Sequence, residues 1–314
     1  MEAAYLALAA SGELNRRAEL AEAILHHCEL CGWRCGVDRG RELGPCRTGR
    51  AFRVATSYLH FGEERPLVGQ GGSGAIFFAH CDLRCQFCQT ARWNIQGRGH
   101  ELDVAGLAGL MVSLQDQGAE NINLVTPTHV AAQIVMALPL AAERGLRLPL
   151  VWNSGGFDSA QTLDLLDGIV DIYLPDMKYS DAELGLRLSG IHEYPAVNRA
   201  AASEMARQVG HLQVDERGSA RRGLLVRHLV MPGHADNTAG VLRWIAGELG
   251  PRTYLSLMDQ YRPAYRAFAN LDLARPISPD EYQAARDLAL SLGLARLDDH
   301  LVTAETGSGR RGPE

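Results

Sequence analysis

Lysine is almost absent from this 314-residue chain: of 31 basic side chains only Lys178 is a lysine, and every other one is arginine. Cysteine is absent from everything that follows Cys88. No block of basic residues interrupts a mildly acidic net charge of −6, which leaves no electrostatic footprint for a nucleic-acid surface. No apolar run approaches the roughly 18 to 20 residues that span a bilayer, so no membrane segment is expected. The first residues, Met1-Glu2-Ala3-Ala4-Tyr5-Leu6, lack the basic start of an export signal. These absences together point to the cytoplasm, where thiols stay reduced and available as ligands. Internal repeats and low-complexity blocks are missing too. With 46% hydrophobic and 22% charged residues, the chain has the composition of a globular protein able to bury a sizeable core.

What is present is concentrated. All seven cysteines lie between Cys28 and Cys88, and an odd number cannot pair completely into disulfides within one chain. Such crowding argues against scattered core thiols and for metal or redox chemistry. The cysteines form two sets. Cys28, Cys31, Cys35 and Cys46 are spaced C-x2-C-x3-C-x10-C, and Cys81, Cys85 and Cys88 are spaced C-x3-C-x2-C. Four thiols can close a zinc site or hold an iron–sulfur cluster, and the first spacing leaves both open. Three thiols within eight residues can converge on one centre of iron–sulfur, zinc or copper(I) type. A cubane bound by three cysteines keeps one iron open for a substrate. The competing reading is a closed zinc knuckle completed by His80 or His100.

Residues 1–27 read as an Ala/Glu/Leu-rich helical lead-in, followed by a Cys/Gly/Arg-rich loop over 28–49. From Ala75-Ile76-Phe77-Phe78 onward, short apolar runs alternate with amphipathic stretches of helix length. Further strands are expected at 121–125, 148–152, 171–174, 224–230 and 254–258. Helices are expected at 103–117, 129–144, 159–166, 181–188, 195–209 and 238–249. Helices between successive strands make parallel crossovers, so the fold class is α/β with a parallel sheet, curved into a barrel or lying open. Three segments follow: 1–72 as a helical and four-cysteine lead, 73–300 as the α/β body, and 301–314 as a flexible tail.

Ligands of such sheets bind beyond the carboxyl ends of the strands. The unusual residues fall there: His80–Cys88 after the first strand, Thr126–His129 after the second, Asn153–Gly156 after the third, and Asp176–Lys178 after the fourth. Met231–His234 and Asp259–Tyr261 follow the fifth and sixth. A purely structural zinc has no reason to occupy the end of the first strand, which favours a cluster at Cys81, Cys85 and Cys88.

The three-cysteine motif, with Phe87 directly before its last cysteine, resembles the radical S-adenosylmethionine (radical SAM) superfamily. Three stretches, Phe77–Cys85, Leu174–Lys178 and Val226–Gly233, together resemble the pyruvate formate-lyase activating enzymes, and within them a branch with an extra N-terminal four-cysteine segment. The resemblance covers about residues 28–262. It implies a partial (βα)6 TIM-type barrel with an N-terminal Cys-rich appendage. It also implies a [4Fe-4S] cluster on Cys81, Cys85 and Cys88, with SAM bound to the open iron. Reductive cleavage of SAM would give methionine and a 5′-deoxyadenosyl radical for hydrogen abstraction, with reduced flavodoxin or ferredoxin as electron donor.

By the same resemblance Phe87 contacts the adenine, Asp176 helps hold a monovalent cation near the SAM carboxylate with Lys178 in the same pocket, and Arg227 contacts SAM. Period-2 alternation independently places Leu174, Asp176 and Lys178 on one face of their strand and Tyr173 and Met177 on the other. The chain departs from the pattern at Asn153, where those activases carry an acid. It departs again after the second strand, where Asn123 and Thr126 stand in place of a Gly-Gly-Glu that binds the SAM amino group. The functions implied are an activase of a glycyl radical enzyme, or a radical SAM enzyme acting on another peptide, protein or small molecule. A zinc-binding scaffold is the reading from another class. A monomer is expected.

Overall fold

The computed structural model describes residues 2–298; the expected tail over 301–314, and the end of the body at 299–300, lie outside the described residues. Ten strands are described: β1 (Phe52–His60), β2 (Ser73–Phe78), β3 (His100–Leu102), β4 (Ile122–Val125), β5 (Leu150–Asn153), β6 (Ile172–Tyr173), β7 (Gln213–Val214), β8 (Ala220–Leu229), β9 (Tyr254–Met258) and β10 (Leu297–Asp298). The helices are α1 (Tyr5–Ala10), α2 (Glu13–Ile24), α3 (Arg65–Val68), α4 (Ala91–Asn94), α5 (Val104–Asp116), α6 (Ala131–Glu143), α7 (Ala160–Leu166), α8 (Ala182–Ser189), α9 (Tyr194–Val209), α10 (Ala235–Trp244) and α11 (Pro279–Ser291).

Helix starts follow local chemistry. Asp103, Ser159 and Asp181 each stand at an N-cap and accept a backbone N–H three residues on, at 2.6, 3.2 and 2.8 Å. Ser278 and Glu281 form a reciprocal capping box on α11.

Strands β2, β4, β5, β6, β8, β9 and β10 are parallel neighbours in that order, so the sheet is a partial barrel. It has one parallel strand more than the six expected, because the two-residue β10 carries too little pattern to be read. On the other flank β1 pairs antiparallel with β2, and β3 with β1. This hairpin-like extension was not expected either: β1 is mostly half-buried and shows no clean alternation.

The pleat separates two environments. Leu150, Trp152, Tyr173, Leu224 and Val226 face the helices, while Val151, Ile172, Leu174 and Leu225 face the barrel interior. Leu67 of α3, fully buried, fills that interior. Burying such a side chain contributes about 1.5–3 kcal/mol. The plug is fastened across the open edge, where the Arg65 backbone N–H donates to Asp298 Oδ2 at 3.0 Å.

The N-terminal lead is welded to the body rather than appended to it. Tyr5, Leu14, Ala21, Leu25 and Leu30 share the main core with α6 and the sheet. Asp171, just before β6, accepts the Ala4 N–H at 2.8 Å and the Leu150 N–H at 2.9 Å. Among the described residues no helix is long and apolar enough to cross a membrane.

Candidate active site

At the carboxyl ends of the parallel strands lies a cavity of about 300 Å3. Cys81, Cys85 and Cys88 line it together with Phe87, Thr126, Asn153, Asp176, Lys178 and Arg227. Residues chosen from five different strand ends thus meet around one space. Leu83, Val125, Leu229 and Met258 supply its apolar wall.

The loop carrying the thiols leaves β2 through His80, a non-glycine residue at φ 69°. Backbone of this kind is costly and collects at functional sites. Thr126, on the facing loop after β4, is another at φ 59°. Each thiol has a polar neighbour. The Leu83 N–H donates to Cys81 Sγ at 3.3 Å, Ser189 Oγ donates to Cys85 Sγ at 3.1 Å, and Thr90 Oγ1 lies 3.6 Å from Cys88 Sγ. Hydrogen bonds to ligating sulfur tune the potential of a cluster. Phe87 packs against Tyr179 and Tyr261, with ring centroids 6.5 and 6.2 Å away.

On the charged wall, Lys178 Nζ donates to Asp176 Oδ2. Burial opposes the ammonium, yet Asp176 and the neighbouring Cys85 thiol hold its pKa above the ordinary lysine value. Gly156, at φ 72°, makes this wall possible: a Cβ there would lie 2.3 Å from the Asp176 carbonyl oxygen.

Arg227 is engaged from behind. Its Nε and Nη2 donate to Glu64 Oε1 and Oε2 at 2.6 and 2.7 Å, Nη2 also donates to Glu63, and Nη1 donates to Asn153 Oδ1 at 3.1 Å. Burial pushes the Glu63 carboxyl up to about 7. Burial acts on Glu64 in the same direction, but Arg227 overcomes it and holds that carboxyl down to about 2. Two carboxylates therefore face one guanidinium beneath the cavity.

Other candidates sit elsewhere. Asn123 lies in the barrel interior, fully buried, with neither its oxygen nor its nitrogen bonded, and does not line the cavity. His100 is exposed on β3, and His80 turns against Gly97, so neither joins the three thiols around the cavity. Among the described residues no three His, Cys, Asp or Glu side chains gather closely enough to hold a single ion, which leaves the zinc-knuckle reading without support.

No family model matches the chain. Over 298 residues, covering 91% of this chain and 81% of the relative, it is 30% identical to the uncharacterized protein MJ0674 of Methanocaldococcus jannaschii. The chain belongs to the family of that archaeal protein. Among solved structures, Streptococcus suis SuiB bound to the precursor peptide SuiA aligns with 11% identity and a TM-score of 0.45 over 68% of this chain. SuiB bound to S-adenosylmethionine aligns with a TM-score of 0.41 at 11% identity, again over 68% of this chain. The chain spans 43% of SuiB in both, and a likeness this distant transfers nothing of what SuiB binds.

Sequence reasoning missed Glu63, Glu64 and Ser189, all of which act on site residues from elements with no motif of their own. It also missed the buried pair Asp82 and Asp158 behind the three-cysteine loop. Asp158 accepts from Ser154, Trp152 and Thr128 at 2.6, 2.9 and 2.8 Å. Burial, then the Asp158 charge, pushes Asp82 up to about 7. The only advance signal was the clustering of polar residues just past β5.

Proposed function

We propose that the chain is a radical SAM enzyme. The observation that carries this reading is the convergence of Cys81, Cys85 and Cys88 with Phe87, Asp176 and Lys178 on one cavity at the strand ends. The donor set fits: three soft thiols, each beside a hydrogen-bond donor, ring a space instead of closing on one ion. Cys81, Cys85 and Cys88 would hold a [4Fe-4S] cluster, which supplies one electron to bound SAM, giving methionine and a 5′-deoxyadenosyl radical that abstracts hydrogen.

The chain's own residues bind, orient and exclude water. Lys178, held by Asp176, presents a fixed ammonium to a ligand carboxylate. Phe87, braced by Tyr179 and Tyr261, presents a ring face to a purine. Thr126 and Asn153 also line the cavity with hydrogen-bonding groups, and Asn153 Nδ2 is buried with no partner. With Arg227 neutralised by Glu63 and Glu64, the cavity's working cation is Lys178. A monovalent cation beside Asp176 remains part of the proposal.

The finer reading is an activase that takes hydrogen from a backbone glycine of a partner polypeptide, with reduced flavodoxin or ferredoxin supplying electrons. Its support is that the three stretches resembling the pyruvate formate-lyase activating enzymes each contribute residues to this cavity, among them Cys81 and Cys85, Asp176 and Lys178, and Arg227 and Leu229. The test is reconstitution without oxygen, followed by iron, sulfide and SAM-binding measurements. About four irons per three-cysteine site and saturable SAM binding, both lost in Cys85→Ala, are expected. Zinc alone, with no SAM binding, overturns the reading.

A further inference from the structure

Charge is unevenly spread along the chain. Residues 34–53 hold six arginines and two acids, in a protein of net charge −6. The fold brings part of this surplus together with the start of the three-cysteine loop, around a second cavity of about 470 Å3. Its walls include Arg47, Arg50, Arg53 and His80, with Glu101 as the one acid among the lining residues. It shares no lining residue with the candidate active site, yet a single peptide bond joins His80 on its wall to Cys81 on the other. The pocket therefore borders the thiol loop from outside the active-site cavity.

These charges are largely unopposed. Arg47 is exposed and, among the described residues, has neither an ion pair nor a side-chain hydrogen bond. Arg84, inside the three-cysteine loop, is half-buried and equally unpaired among the described residues. Arg53 donates from Nε, at 3.2 Å, and from Nη2 to the Gly99 carbonyl, and meets no carboxylate among the described residues. Arg50 has an acid partner, Glu22. The His80 ring lies within reach of all three unopposed charges, those of Arg53, Arg47 and Arg84. Behind the wall Arg39, 3% exposed, donates to the His129 carbonyl at 2.5 Å and, among the described residues, to no carboxylate. Like charges gathered without a counter-charge repel one another, and a partner of opposite sign relieves that repulsion.

The backbone marks the same place. Arg47 and His80, both on this pocket, lie in the left-handed region at φ 58° and 69°. A residue with a Cβ takes that conformation at a cost, and such residues gather at ligand clamps and functional sites. The His80 ring is packed against Gly97, where a Cβ would lie 2.2 Å from it, and the His80 N–H donates to the Trp93 carbonyl at 3.0 Å. The wall that joins the pocket to the thiols is thus fixed before anything docks on it.

We propose that this basic pocket is the docking surface of an acidic protein that carries one reducing electron, held by Arg47, Arg53 and Arg84. What the docked protein supplies rests on the radical SAM reading, in which each cleavage of SAM consumes one electron from outside the chain. The carrier's reduced cofactor loses that electron and the cluster on Cys81, Cys85 and Cys88 gains it, with no bond formed and no proton moved. A carrier seated on the cavity mouth would bar SAM and the hydrogen donor. Seated at His80, it borders the thiol loop and leaves the cavity free. Contacts between electron-transfer proteins are small and steered by charge, which suits a compact pocket of unpaired guanidinium groups.

Calorimetric titration of the full chain, reconstituted without oxygen, with oxidised flavodoxin measures docking apart from catalysis. Saturable binding is expected at about 50 mM sodium chloride, and about tenfold weaker binding at about 300 mM. Arg47→Glu and Arg53→Glu should each weaken it about 3- to 10-fold, and Arg243→Glu, exposed on α10, should leave it unchanged. Arg47 has no side-chain partner to lose, so its variant keeps the fold even where Arg53→Glu, which gives up the Gly99 carbonyl, does not. A short DNA duplex, a polyanion with no electron to give, should bind about ten times more weakly than flavodoxin. SAM cleavage driven by dithionite, a small reductant that needs no docking, should be equal in the wild type and Arg47→Glu, while cleavage driven by reduced flavodoxin falls with the affinity. No cleavage with dithionite counts against the radical SAM reading alone. Flavodoxin binding that is absent, or unmoved by salt and by Arg47→Glu, overturns the docking surface, as does tighter binding of the duplex.

Discussion

Arg227 and Glu64 form a buried, two-pronged ion pair, at 2.6 and 2.7 Å, between β8 and the segment that plugs the barrel. They stand 163 residues apart, and no strand pairing joins them. The pair ties the floor of the candidate active site to the plug.

Removing one partner of such a pair leaves a buried charge behind, a loss of about 3–5 kcal/mol. Glu64→Gln should therefore lower the urea midpoint strongly at pH 6. Glu63→Gln should lower it far less, because the Glu63 carboxyl, pushed up to about 7, is largely protonated there and glutamine imitates that form. Equal losses in the two variants would show that the carboxylates share Arg227 evenly.

Lys178 is the single lysine, and its ammonium is wedged between Asp176 and the cysteine loop. A forked guanidinium is longer and planar, and cannot take the same place. Lys178→Arg should weaken SAM binding about tenfold, roughly 1.4 kcal/mol. The iron content should not change. Equilibrium dialysis decides the matter, and unchanged affinity would reduce the rarity of lysine to a bias of composition.

Ser189 is the terminal residue of α8, and its hydroxyl donates to Cys85 Sγ at 3.1 Å. Such a bond stabilises the reduced, more negative form of a cluster. Ser189→Ala should lower the midpoint potential by about 40 mV, the equivalent of roughly 1 kcal/mol for one electron. A potentiometric titration followed by electron paramagnetic resonance would measure it.

Asp171 is buried, accepts two backbone N–H groups and has its pKa pushed up to about 6 by that burial. Its folded value lies above its ordinary 3.8, so its contribution to stability is full at low pH and lost as pH rises through about 6. Between pH 5 and pH 7 this group alone removes roughly 1 kcal/mol. Asp171→Asn should flatten the pH dependence by that amount, read as the difference in urea midpoints at the two pH values.

The alternation of apolar runs and capped amphipathic stretches made the parallel sheet and most of its helices legible, because buried strands and N-caps are local features. Asp103, Ser159 and Asp181 mark helix starts in the sequence and in the structure alike. That Cys81, Phe87, Asp176, Lys178 and Arg227 line one cavity was legible because each lies on or just after a recognisable strand. Glu63 and Glu64 were not. They belong to a polar stretch that looks exposed, and only the seating of α3 in the barrel interior turns them inward onto Arg227.

The measurement that tests the central claim most directly is product analysis of the reconstituted chain with SAM and a strong one-electron reductant, without oxygen. The account predicts 5′-deoxyadenosine and methionine in equal amounts from the wild type and none from Cys88→Ala. Intact SAM in the wild type, in a preparation that carries its full iron and sulfide, would contradict it.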